Sequence, residues 1–206
     1  MQREDVSRAV LPLRLVFWGG VICVIDINIA SGGVRFDIVN DALGMLLITI
    51  GVFALASVEV HDRYAGTMAF VKVMSVLALI EAVLSHIAVR GMPTALVVAQ
   101  VLLALASLAA IVAFCVAMRW LCEAAPLDAV AASWRTTTIL YVVIYVIPLG
   151  LFYGASLIAI ILRESFHVDL GPAGLMLVPV FLVPLVHFFV STSRMAHAAE
   201  LTDEGV

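Results

Sequence analysis

The sequence predicts an all-α polytopic membrane bundle of about six transmembrane helices, with the N- and C-termini both on the cytoplasmic side. Three observations lead there. First, 64% of the 206 residues are hydrophobic and only 13% are charged, whereas a soluble domain carries about 25% charged residues. Second, the apolar residues fall into long runs, and about 20 such residues in a helix cross the roughly 30 Å hydrocarbon layer. Third, the segments between runs are too short to form a soluble domain, so one transmembrane domain covers 1–206.

The spans fall at about 11–31, 38–58, 66–89, 94–118, 136–162 and 172–193. The start of the chain is basic and then apolar, as in a signal peptide. It also carries Glu4 and Asp5 and lacks a small-x-small cleavage site, so it reads as a retained first span. Asp26 lies near the outer end of that span. Asp37 and Asp41, one helical turn apart, open the second span. Carboxylates there oppose the positive end of a helix, and the same spacing suits a divalent cation. Capping explains them without an ion, and no metal site is expected.

The third span carries Lys72 near its inner end, and Glu81 and His86 toward its outer end. Glu81 lies about 12 Å below the outer end at 1.5 Å per residue. Ionisable groups at such depth are costly and point to a functional site by default. Gln100, in the fourth span, lies at comparable depth. Asp26, Glu81, Gln100 and His86 therefore form a candidate polar site in the outer half. One reading is an interhelical clamp in which Glu81 bonds Gln100, Ser85 or a carbonyl. The other is a proton or cation site. Ala109, Ala113 and Ala117 in the fourth span, and Gly150 and Gly154 in the fifth, are spaced to let helices approach closely, within the chain or against another.

The connection from Arg119 to Arg135 holds Asp128, a candidate cap for the next helix, between Trp120 and Trp134, which read as interfacial aromatics. Tyr141 and Tyr145 share a face of the fifth span. Pro148, Pro179 and Pro184 predict kinks in the last two spans. Orientation follows from Arg3, Arg8, Arg14, Arg63, Arg119, Arg135 and Arg194 on one side against Arg35, Arg90 and Arg163 on the other.

Several functions lack their signatures. There is no Walker A loop, no GxSxG elbow and no HExxH helix. Scattered charges with a net of −4 offer no nucleic-acid patch. Cys23, Cys115 and Cys122 form no CxxC pair and read as small core residues. His86 and His187 lie at different depths, so a haem between them is not expected and no cofactor is assigned. A polar contact between His187 and Lys72, at similar depth, stays open. The expected partners are the lipid bilayer and other membrane subunits or a second copy.

The stretch from Leu13 to Val52 resembles the opening of a group of uncharacterised bacterial polytopic membrane proteins. Their second span begins with an F-D-I/L-x-x-D-x-I/L-G pattern, here Phe36, Asp37, Ile38, Asp41, Leu43 and Gly44. Many of them have Pro where this chain has Asn40. The resemblance covers about a fifth of the chain and implies a bacterial inner-membrane protein without naming an activity. The leading functional expectation is a non-catalytic membrane subunit or scaffold that docks other helices. The alternative is a small-solute or ion transporter using the outer-half polar site.

Overall fold

The computed structural model describes residues 3–24, 30–31, 34–35, 38–84, 93–162 and 173–203. They form helices α1 (Arg3–Val24), α2 (Ile38–Ala56), α3 (Asp62–Leu84), α4 (Thr94–Ala124), α5 (Asp128–Tyr141), α6 (Ile147–Leu162) and α7 (Ala173–Asp203). A π turn, Val142–Val146, joins α5 to α6 as one rod. Two short strands, β1 (Ala30–Ser31) and β2 (Val34–Arg35), pair antiparallel between α1 and α2. The expected helical span 11–31 therefore does not hold to its end, since Ala30 and Ser31 are strand.

Among the described residues four helical segments are long and apolar enough to cross a membrane: Asp62–Leu84, Thr94–Ala124, Asp128–Leu162 and Pro179–Ala198. The helical bundle and its membrane-embedded character rest on these four. α2 is apolar but shorter, and α1 carries Arg8 and Arg14.

The rods close into a ring. Each packs against its sequence neighbour from α1 through α5, and α7 packs against both α5 and α1. The crossing of α1 and α2 is the tightest. A Cβ placed on Gly19 would sit 2.5 Å from the Gly44 carbonyl oxygen, and one on Gly51 would sit 2.5 Å from the Pro12 carbonyl oxygen. Only glycine permits that approach, which van der Waals packing in lipid rewards. Gly44 is the last residue of the F-D-I-x-x-D-x-L-G pattern, so part of that motif is a packing requirement.

The α2–α3 turn is tied by side chains. The Tyr64 hydroxyl donates to the Leu55 carbonyl at 2.7 Å, and the Tyr64 N–H donates to His61 Nδ1 at 3.0 Å, which satisfies one of the open amides of α3. At α5 the expected cap is absent. Asp128 is the first helical residue, Leu127 occupies the N-cap position, and no side chain caps it.

The prolines behave differently from one another. α7 runs on through Pro179 and Pro184. The Tyr145 hydroxyl donates to the Phe181 carbonyl in the turn preceding Pro184, where the ladder is interrupted. Before Pro148 the helix widens to the π turn, with the Ile147 N–H reaching Val142 O.

Packing is uneven along the ring. The core cluster lies toward the end that carries both chain termini and includes Leu13, Leu55, Met68, Met118, Leu121 and Met195, all fully buried. Neither the π turn nor α6 contributes a buried residue. The alanine stripe of α4 records the gradient: Ala109 is exposed, Ala113 is half-buried and Ala117 is fully buried.

Candidate functional site

Two features occupy the middle of the ring. The first is a half-open cavity of ≈ 250 Å³ to which all six rods contribute, among them Phe17, Ile48, Met74, Ala110, Tyr141 and Leu185. Its wall is almost wholly apolar, and its polar residues are Ser75, Ser107 and Tyr141.

Aromatic rings close the cavity toward the termini-bearing end. Phe188 stacks with Phe17 at 6.1 Å and with Phe114 at 6.0 Å, and Trp134 meets it edge-on at 5.2 Å. These side chains come from α1, α4, α5 and α7, so the floor exists only once the ring has closed. Trp134 is fully buried here, not interfacial as its position beside the α4–α5 turn implies. Bilayer depth estimated from loop position missed that α5 turns this face inward.

The second feature is a buried hydroxyl network between α5 and α7. Ser191 Oγ lies 2.8 Å from both Ser133 Oγ and Thr137 Oγ1. Thr137 Oγ1 also lies 2.8 Å from His187 Nδ1. Arg194 donates to Ser133 at 3.4 Å, from the edge of the cluster. Ser133, Thr137 and Ser191 are buried, so the network clamps two helices in a medium where an unpaired hydroxyl is costly. The sequence carried the signal: Ser133 and Thr137, and His187 and Ser191, are i, i+4 pairs that each put two polar groups on one helix face.

This pairing removes His187 from the contact with Lys72 that similar depth had left open. Lys72 Nζ lies instead over the Phe53 ring, 4.5 Å from its centroid, as a cation–π contact between α3 and α2.

The expected outer-half cluster is only partly within the described residues. Asp26, Asp37 and His86 lie outside them. Asp41 is exposed in the first turn of α2. Glu81 and Gln100 are half-buried, and no hydrogen bond joins either to a described residue. Glu81 and Gln100 are thus not bonded to each other, and Ser85, the other side chain the clamp could use, lies outside the described residues. Their helix positions are informative nonetheless. Glu81 follows Met74 and Ala78 at i+7 and i+3, and Gln100 precedes Ser107 by seven residues. Both thus fall on the helix stripes that line the cavity, on the side away from the aromatic floor.

The glycine step of α6 is open. A Cβ on Gly150 or Gly154 would meet no described residue within 4 Å. The close approach that this spacing favours is made in the chain by α1 and α2 instead. Cys115 and Cys122 are fully buried, with Cys122 Sγ 3.8 Å from Met195 Sδ. Among the described residues no group of three His, Cys, Asp or Glu is placed to hold a metal ion. Comparison of the chain with family models, with curated proteins and with solved structures gives no match.

Proposed function

We propose that this protein is a six-span bundle of the bacterial inner membrane, with both termini in the cytoplasm, that acts as a non-catalytic subunit by docking another transmembrane helix on α6. The observation that carries the reading is the vacant Gly150–Gly154 face. A glycine inside a helix costs about 0.5–1 kcal/mol relative to alanine. At Gly19, Gly44 and Gly51 that cost is offset by close helix contact. Among the described residues Gly150 and Gly154 have no such return, and α6 buries no residue against the ring. A partner helix seated on that face would supply it. The bacterial inner membrane follows from the resemblance of the Leu13–Val52 stretch.

The test is to replace Gly150 and Gly154 together with Ile and extract the protein gently from its membrane. Loss of co-extracted subunits with unchanged thermal stability supports docking through α6. Retention of the same subunits refutes it.

A second reading, small-solute transport, is supported by the position of Glu81 and Gln100 on the stripes that line a central cavity. It requires flux that depends on Glu81.

A further inference from the structure

The cavity wall carries two half-buried hydroxyls, on Ser107 and Tyr141, that the described ring does not satisfy. Elsewhere in the ring the buried hydroxyls are paired. Thr49 donates to Met45 O, Thr192 donates to Phe188 O, and Ser133, Thr137 and Ser191 bond one another and His187. In the cavity wall, Ser75 donates to Lys72 O at 2.9 Å. Ser107 and Tyr141 make no hydrogen bond to any described residue. They stand on α4 and α5, in a wall whose other described residues are apolar apart from Ser75, and none of the described wall residues is charged.

We propose that this cavity is a binding site for an uncharged, mainly apolar molecule that carries a carbonyl acceptor, about the size of two fused rings. Three features define that class. None of the described wall residues is charged, which disfavours an ionised ligand, because none of them offers a counter-charge to offset its desolvation. The unpaired hydroxyls of Ser107 and Tyr141 call for an acceptor, since a hydroxyl left alone in an apolar medium is costly. The ≈ 250 Å³ volume exceeds the roughly 150 Å³ of an apolar cavity that takes benzene, and falls below the roughly 300–1,000 Å³ of pockets for drug-sized ligands. The aromatic floor of Phe17, Phe114 and Phe188 offers ring faces for a flat molecule to pack against. No described wall residue lies on α6, so the site is separate from the Gly150–Gly154 face.

Trp134 supplies the readout. It is fully buried beneath Phe188, whereas Trp18 is exposed and Trp120 is half-buried. In the full chain carrying Trp18→Phe and Trp120→Phe, emission then reports on the cavity floor. The probes are naphthoquinone, which has carbonyl acceptors, and bromonaphthalene, which has a similar two-ring body and no carbonyl. Naphthoquinone is expected to quench Trp134 saturably. Tyr141→Phe is expected to weaken that binding roughly fivefold, the loss of one neutral hydrogen bond, and to leave bromonaphthalene unchanged. Ala110→Phe, which fills the cavity from α4, is expected to abolish saturable quenching by both. Quenching that never saturates and is the same in Ala110→Phe would overturn the site. Naphthoquinone binding that is indifferent to Tyr141→Phe and to Ser107→Ala would overturn the carbonyl assignment. Tyr141→Phe is nearly isosteric, so the test stands even if the larger substitution fails to fold.

Discussion

Adding one methyl group at Gly19 and one at Gly150 should move stability in opposite directions. At Gly19 the new Cβ lies 2.5 Å from the Gly44 carbonyl oxygen and 2.9 Å from the Ile48 nitrogen. Both are backbone atoms of α2, so no side-chain rotation relieves the clash. Ordinary contact begins at 3.4 Å, so the two helices must part by about 0.9 Å. A gap of 0.5–1 Å forfeits roughly a quarter to a half of the dispersion attraction across it. Overpacking of this kind costs about 1–3 kcal/mol, and alanine returns up to about 1 kcal/mol through helix propensity. The net loss is about 1–2 kcal/mol, or a fall in Tm of roughly 2–8 °C for a chain of this size. Gly150→Ala meets no described residue within 4 Å and keeps only the propensity gain, so its Tm should hold or rise slightly. A thiol-reactive dye during heating reads both, because Cys115 and Cys122 are fully buried until the bundle opens. An unchanged Gly19→Ala, or a Gly150→Ala that falls with it, would refute the assignment of the tight and vacant glycine faces.

Three further substitutions follow from the interior. Phe188→Ala removes the ring shared by Phe17, Phe114 and Trp134, and should cost about 3–5 kcal/mol and shift Trp134 emission to the red; emission left unchanged would contradict the aromatic floor. Thr137→Val keeps the shape but withdraws the hydroxyl shared by His187 and Ser191, and should cost about 1–3 kcal/mol in the same dye assay. Pairing it with His187→Leu should restore part of that loss, because both partners are then apolar, whereas simple additivity would mean the two residues do not interact. Glu81→Gln should leave both Tm and co-extracted subunits unchanged under the docking reading; loss of a pH-dependent flux would move the assignment to transport.

The helices were legible because a membrane span is a long local signal, and apolar runs such as Thr94–Ala124 need no tertiary information to be found. Their partners were not. Gly150 and Gly154 have a spacing that advertises close packing, yet the intimate contact uses Gly19, Gly44 and Gly51. Spacing along one helix says how near a neighbour can come, and not which neighbour does. Trp134 shows the same limit, since depth in the bilayer can be guessed from loop positions but rotation about the helix axis cannot. The Ser133–Thr137–His187–Ser191 network was within reach, because each pair repeats at i+4, but isolated hydroxyls in apolar helices draw less notice than a carboxylate such as Glu81. The cavity was out of reach altogether. It is a space between six rods, and apart from Ser75, Ser107 and Tyr141 its described residues are apolar positions that read like any lipid-facing surface.

The most direct test of the central claim is native mass spectrometry of the full chain, extracted gently from its own membrane. A mass that includes at least one further membrane-spanning chain, lost when Gly150 and Gly154 are both replaced by Ile, is the expected result. A bare monomer, or an assembly indifferent to those two replacements, would contradict docking on α6.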